Sequence, residues 1–193
     1  MKNYFYVSVF VCLLFSCKGN GQNTNASSKN DRPNPESNFV FSGDYNDLLT
    51  LEMASQITGF EASKATKLHT MKGMIAETLR YFWENGREEV IKKSASKRER
   101  VAYPRTDLVQ IKWVDGEADM ESFSDFIDLE KYPELTEVNG VGESAYWNPK
   151  KNHLEVYYNG ISFSLQVDIS NDESLDKEKT IALAKQIIEE KMK

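Results

Sequence analysis

The fold is decided by residues 153–168, HLEVYYNGISFSLQVD, which have the pattern of two β-strands joined by a tight turn. Asn159-Gly160 is a strong signal for a two-residue type I′ turn, because both turn positions need a positive φ. On each side of the turn apolar residues alternate with polar ones, as in a strand with one buried face and one wet face. The apolar positions are Leu154, Val156, Tyr158, Ile161, Phe163, Leu165 and Val167. The stretch therefore predicts an antiparallel hairpin.

Three segments outside this hairpin have the spacing of amphipathic helices. The first covers residues 51–58, with Thr50 as its predicted N-cap. The second covers residues 119–129 and begins with acidic side chains, which complement the helix dipole. The third runs to the end of the chain from an N-cap at Asn171 or Ser174.

A further strand is predicted over residues 108–114, where Val109, Ile111 and Trp113 share the face that we expect to be buried. Residues 62–83 fit both a helix and a strand, so their structure stays open at this point. Taken together, the elements predict an α+β fold. We expect an antiparallel sheet of about five to seven strands, with about three helices packed largely on one face.

Residues 1–16 have the features of a secretory signal peptide. Lys2 precedes a largely apolar run over residues 7–15. That run is too short to span a hydrocarbon layer of about 30 Å as a helix. We therefore leave it out of the fold.

The motif Leu14-Phe15-Ser16-Cys17 resembles the lipobox of bacterial lipoproteins. The resemblance implies that the chain is cut before Cys17 and that Cys17 is acylated, so that an N-terminal lipid attaches the protein to a membrane. In such lipoproteins an Asp directly after the acylated Cys implies retention at the inner membrane. The residue at that position in this chain is Lys18. The expected location is the outer membrane, with the protein facing the periplasm.

The predicted organisation has three parts. Residues 1–16 are the signal peptide, residues 17–38 are the lipidated Cys with a disordered tether, and residues 39–193 are a single α+β domain. The tether is rich in Asn, Ser, Gly and Pro and has a single apolar residue after Cys17, Ala26. It cannot bury enough apolar surface to offset its chain entropy.

A second resemblance lies in the Leu48-Leu49-Thr50 segment and in the motif GVGESAYW at residues 140–147. Both are similar to segments of a loose group of small bacterial secreted lipoproteins. Members of that group typically carry a Cys pair in the globular part, which this chain lacks. The resemblance supports an α+β domain and implies no particular chemistry.

The residues that usually carry catalysis or bind metals are scarce. His69 and His153 each lie alone in sequence, and Cys12 is lost with the signal peptide while Cys17 carries lipid. The acidic residues 115–121 lack the spacing of an EF-hand loop. We therefore expect no enzyme activity, no metal and no cofactor, although a hydrolase whose carboxylates converge only in the folded chain stays open.

Charge is distributed unevenly along the chain, whose net charge is −6. That net charge argues against nucleic acid as a partner. Residues 87–105 are strongly basic and residues 115–137 strongly acidic. These segments are either two solvated surfaces, which could face each other in the fold, or binding surfaces. The candidate partner-binding residues are Asp119, Glu121, Asp125, Asp128, Arg98, Arg100 and Trp147.

The leading functional hypothesis is a non-enzymatic, lipid-anchored cell-envelope protein that binds another macromolecule, in the first place a protein. One alternative is a periplasmic immunity or inhibitor lipoprotein that blocks a toxin or a hydrolase. Another is a structural component of the envelope.

Overall fold

Antiparallel strands make up the sheet in the computed structural model of this chain, which describes residues 39–70, 77–92 and 100–193, with the backbone alone at residues 89–92 and 100–102. Seven strands occur in those residues. They are β1 (Thr66–Thr70), β2 (Thr78–Lys92), β3 (Arg100–Asp115), β4 (Thr136–Glu137), β5 (Ser144–Asn148), β6 (His153–Tyr158) and β7 (Ile161–Asp168). Their order is β1-β2-β3-β7-β6-β5-β4, and every neighbouring pair is antiparallel. The predicted hairpin is β6 followed by β7.

Three α-helices accompany the sheet in the described part of the chain, and they are α1 (Leu51–Thr58), α2 (Met120–Ile127) and α3 (Glu173–Ile187), which continues as the π-helical turn Ile188–Met192. α1 begins as predicted, because Thr50 Oγ1 accepts a hydrogen bond of 3.2 Å from the Met53 N–H. α3 is capped by Asp172 and not by Asn171 or Ser174, since the Asp172 carboxylate accepts the N–H of Ser174. The predicted α+β fold with an antiparallel sheet is confirmed.

One face of the sheet packs against α1 and α3, and we call it the core face. Apolar side chains from both helices meet alternate residues of the strands and are almost fully buried. They include Met53, Ala54, Leu183 and Ile187 from the helices and Leu79, Val109, Ile111, Leu154, Val156, Leu165 and Val167 from the strands. Each large apolar side chain buried in this way stabilises the fold by roughly 1.5–3 kcal/mol.

The opposite face, which we call the groove face, carries α2. Phe123 and Ile127 of that helix form a separate apolar cluster with Tyr157 of β6 and with Ala118. Successive residues of a strand point to opposite faces, so Tyr157 belongs to this cluster and its neighbour Val156 belongs to the cluster on the core face. The sheet is therefore covered on both faces, by two helices on one and one helix on the other.

The stretch that the sequence leaves open, residues 62–83, forms strands in its described part. A short 3-10 turn, Ala62–Lys64, leads into β1, and β2 begins at Thr78. Trp83 on β2 is 1% exposed, and its indole N–H donates a hydrogen bond of 3.0 Å to the Glu61 carbonyl. The alternation of Leu79, Tyr81 and Trp83 toward the core thus prevails over the helical spacing.

The prediction that Trp113 is buried with Val109 and Ile111 is wrong. Val109 and Ile111 are fully buried, whereas Trp113 is 39% exposed. The pairing of β3 with β7 shifts by one residue between Lys112 and Asp115, as in a β-bulge. The extra residue reverses the alternation, so that Val114 packs against the core instead of Trp113.

The predicted signal peptide, the lipidation site Cys17 and the predicted tether lie outside the described residues. Within the described ranges, no helix has both the length and the apolar composition needed to cross a membrane.

Two glycines shape the loop that precedes β5. Gly140 and Gly142 have φ values of +76° and +59°, in the left-handed region. At Gly140 an added Cβ would meet nothing within 4 Å, but at Gly142 it would lie 2.5 Å from the Tyr157 carbonyl oxygen. The next residue, Glu143, donates its N–H to that same oxygen at 3.0 Å. The close approach of the loop to β6 therefore requires glycine at position 142.

We expect Gly142→Ala to lower the free energy of unfolding by about 3 kcal/mol, because the methyl group adds a backbone clash to the cost of a left-handed conformation. Gly140→Ala is the matched control and should lose only about 1 kcal/mol, the conformational cost alone. Urea unfolding followed by circular dichroism measures both. Equal losses in the two variants would contradict this account of the loop.

Candidate functional site

The most distinctive site lies on the groove face, beneath α2. Two clefts of about 300 and 270 Å³ open there, and Trp113, Phe126 and Glu155 line both of them. We call the two clefts together the α2 groove. Its other polar lining residues include Asp115, Ser122, Ser162 and Ser164 in the first cleft, and Asp125, Asp128, Lys131, Tyr132, Asn148 and Lys151 in the second.

Glu155 on β6 is the most deeply placed charged residue of the groove, at 4% exposure. Its carboxylate accepts a hydrogen bond from the hydroxyl of Ser164 on the neighbouring β7. Burial raises the pKa of Glu155, because a carboxylate loses its hydration there. The Ser164 hydrogen bond and the charges of Lys112 and Lys151 act against this rise.

His153, two residues earlier on β6, is 1% exposed. Burial, and then the positive charges of Lys112 and Lys151, lower its pKa to about 3. Its Nε2 lies 3.3 Å from Glu155 Oε1, but a neutral imidazole forms no ion pair. Neither ring nitrogen makes a hydrogen bond within the described residues. A buried polar ring with both nitrogens unsatisfied is costly and is rare in folded proteins.

Trp113 forms the aromatic wall of the groove. Its φ of +53° is unusual for a bulky side chain and costs on the order of 1–2 kcal/mol. The ring meets Phe126 at 6.2 Å and 69°, and His153 at 6.0 Å and 74°, both edge-to-face. The ammonium groups of Lys112 and Lys151 lie 4.4 and 5.8 Å from its centroid. Strained residues of this kind cluster at functional sites.

Polar side chains continue across the groove face toward β2. Arg80 donates two hydrogen bonds to Gln110 Oε1, at 2.9 and 2.8 Å, and Gln110 in turn donates to Gln166. Lys112 lies next along β3, where burial lowers its pKa and the charge of Glu155 counteracts the shift. This face is therefore polar although much of it is covered.

Neither a catalytic triad nor a metal centre is formed by these groups. Ser164 is hydrogen-bonded to Glu155, whereas a Ser–His–acid triad requires the histidine between the hydroxyl and the carboxylate. Among the described residues, no three His, Cys, Asp or Glu side chains come together as metal ligands would.

The predicted partner-binding acids lie on and around α2. Asp119 is its N-cap, where the backbone N–H of Ser122 donates to the carboxylate at 2.7 Å and lowers the pKa of Asp119. Glu121 and Asp125 are exposed on the helix, and Asp128 ends it with a φ of +42°. Only Asp125 and Asp128 of these four line the α2 groove.

The other predicted residues lie elsewhere. Trp147 is 5% exposed on β5, where it packs in the core and has little surface to offer a partner. Arg98 lies outside the described residues, and Arg100 begins β3 with only its backbone described.

Two basic residues of the segment 87–105 are paired within the fold. Arg87 contacts Asp107 and Asp168, each at 2.5 Å, and Arg105 also contacts Asp168, at 2.9 Å. Asp107 and Asp168 are almost fully buried. These basic residues therefore balance carboxylates outside the acidic segment 115–137, so they do not support the idea that the two segments face each other.

Trp113, Glu155, His153 and Ser164 form a site that the sequence does not reveal. Glu155 and Ser164 occupy the polar positions of an amphipathic hairpin, which are expected to be wet. They are buried because α2 and the residues after it return over that face. The sequence did offer one signal for this site, because it places a charged side chain and a hydroxyl side chain at paired positions of a tight hairpin.

We expect the free energy of unfolding to decrease as the pH is lowered, because of His153. Its native pKa of about 3 lies below the ordinary 6.5, so the unfolded chain takes up this proton first as the pH falls. The contribution of His153 to the free energy of unfolding is complete above pH 6.5. It is lost between pH 6.5 and pH 3, by up to about 1.4 kcal/mol per pH unit. Glu155, with its raised pKa, acts in the opposite direction.

Urea unfolding of the wild type and of His153→Gln between pH 7 and pH 4 isolates this contribution. The variant should have the flatter dependence of the free energy of unfolding on pH. Parallel curves for the wild type and His153→Gln would refute the assignment to His153.

Comparisons with protein-family models, with curated proteins and with solved structures found no match. The chemistry of the α2 groove is set by the side chains that line it. These provide carboxylates, hydroxyls, an amide, ammonium groups and an aromatic wall.

Proposed function

We propose that this protein is a non-enzymatic, lipid-anchored cell-envelope protein that binds a protein partner through the outer surface of α2. The observation that carries the proposal is a group of large apolar side chains exposed beside acidic ones. Trp113, Phe126 and Leu129 are 39%, 52% and 47% exposed. Such apolar exposure is typical of interaction surfaces.

The composition of this surface fits a protein interface. Trp113 and Phe126 contact each other edge-to-face, and aromatic residues are enriched in interface centres, where a few anchors dominate the binding energy. The Trp113 ring is also held by its contacts with Phe126 and His153, so less side-chain freedom remains for it to lose on binding.

Acidic side chains surround the apolar centre. Glu121 and Asp125 are exposed on α2, and Glu130 is exposed shortly after the helix. We therefore expect a partner with a basic contact surface, because complementary potentials raise the rate of encounter and exclude acidic competitors.

The proposed membrane attachment rests on the lipobox motif that ends at Cys17. Several acyl chains on one residue, each stabilised by about 0.8 kcal/mol per buried CH₂, give a stable anchor. The residues between Cys17 and Phe39 would let the folded part reach a neighbour on the periplasmic side of the outer membrane.

An immunity or inhibitor role is the second candidate, and the acidic surface around α2 favours it. Such a surface would suit the blocking of a basic toxin or hydrolase. A structural envelope component is the remaining alternative. The identity of the partner separates the three roles.

We expect Cys17→Ala to release the protein from membranes into the soluble fraction, because the variant has no residue to acylate. Fractionation of cells followed by a high-salt wash measures this. Cys12→Ala, inside the predicted signal peptide, is the matched control and should stay with the membranes. A Cys17→Ala variant that pellets with membranes after the wash would refute the lipid anchor.

We expect one dominant protein partner when the full-length protein is cross-linked in living cells and captured. Glu121→Lys with Asp125→Lys should abolish its recovery, because the variant presents a basic surface to a basic partner. Glu178→Lys with Glu189→Lys places the same charge change on α3 and on the π-helical turn that continues it, over the core face, and should leave recovery unchanged. Equal recovery with both double variants would exclude the α2 surface as the interface.

A further inference from the structure

We propose that the α2 groove is a second binding site, which holds a neutral saccharide between Trp113 and Glu155. The site shares Trp113 and Phe126 with the proposed protein interface, but it uses the interior of the groove, where Glu155 and Ser164 lie, rather than the outer surface of α2. The proposal rests on the shape of the groove, on its hydrogen-bonding groups, on its aromatic wall and on its balance of charge.

The groove has the size of a small-molecule site. Its two clefts of about 300 and 270 Å³ share Trp113, Phe126 and Glu155, so these residues lie where the two meet. Sites for small ligands begin at about 300 Å³. The clefts together offer room for a short oligosaccharide rather than for a large cofactor.

The floor of the groove both donates and accepts hydrogen bonds. The Glu155 carboxylate is an acceptor, Ser162 and Ser164 carry hydroxyls, and Asn148 contributes an amide. Saccharide hydroxyls also donate and accept, so they can satisfy such a mixed set. A ligand that donates to Glu155 would compensate the cost of burying that carboxylate.

Trp113 supplies the aromatic wall that saccharide recognition uses. The C–H groups on one face of a pyranose ring carry partial positive charge and pack well on the negative face of an aromatic ring. The contacts of Trp113 with Phe126 and His153 are edge-to-face, and 39% of its surface remains exposed. Trp113 lines both clefts of the groove, and the Lys112 ammonium lies over part of its ring.

Charge in the groove is nearly balanced, which favours a neutral ligand. The four acids that line it are Asp115, Asp125, Asp128 and Glu155. Lys131 and Lys151 also line it, and the Lys112 ammonium lies over the Trp113 ring. Neither a polyanion nor a polycation gains much from such a set, whereas each charged group still forms strong hydrogen bonds with hydroxyls.

The test is a titration of the folded protein with maltotetraose, cellotetraose and chitotetraose, and with trigalacturonate as the acidic comparison. Trp113 reports on the site by its fluorescence, because Trp83 and Trp147 are only 1% and 5% exposed. We expect at least one neutral tetrasaccharide to shift the emission and to protect it from acrylamide quenching, and trigalacturonate to bind more weakly than that saccharide.

Calorimetry of variants then locates the site. Glu155→Gln and Lys151→Ala should each weaken binding at least tenfold, and Glu178→Gln, on α3, should leave it unchanged. Lys151 is exposed, so its variant keeps the test valid if Glu155→Gln does not fold.

Three results would overturn the proposal. They are the absence of binding by all three neutral saccharides, tighter binding of trigalacturonate than of any of them, and affinities that the folded groove variants leave unchanged. None of these results depends on the capture of a protein partner, so the saccharide site and the proposed interface can fail independently.

Discussion

The bulge in β3 determines which side of the sheet receives Trp113, and much of the molecule depends on it. Lys112 pairs with Ser164 and Asp115 with Ser162, so three steps along β3 correspond to two along β7. The extra residue turns Val114 toward the core and Trp113 toward α2. A regular strand would bury this indole with Ile111 and would leave the groove without its aromatic wall. The positive φ of Trp113 is the conformational cost of that arrangement.

The two faces of the sheet make opposite energetic contributions. On the core face, apolar side chains from α1, α3 and the strands are removed from water, which stabilises the fold. On the groove face, His153 is buried without a hydrogen bond and Glu155 is buried as an ionisable group, and both cost free energy. A protein that only had to be stable would gain from apolar residues at these positions. Their burial beside an open cleft supports the proposal that the groove face binds a ligand.

Local rules explain how much of this could be predicted from the sequence. The hairpin follows from the Asn159-Gly160 turn and its alternating flanks, and α1 follows from Thr50 as its cap. Trp113 was misplaced because a bulge depends on pairing with a strand that is distant in sequence. The groove cannot be predicted locally for a similar reason, since α2 and the chain that follows it return over the face of Glu155 from outside the hairpin. Residues 62–83 are ambiguous in sequence because their apolar residues fit both the period of a helix and that of a strand. The pairing of β2 with β3, which is distant in sequence, selects the strand.

α2 belongs to both proposed surfaces, and this has a thermodynamic consequence. Phe123 and Ile127 attach the helix to Tyr157 and Ala118 in a small cluster, while Phe126 lines the groove and is exposed on the outside. This cluster is much smaller than the one that holds α1 and α3, so α2 is the helix whose position costs least to change. If a ligand in the groove favoured one position of α2, it would change the affinity of the outer surface for the proposed partner. By linkage, that partner would then change the affinity for the ligand by the same factor.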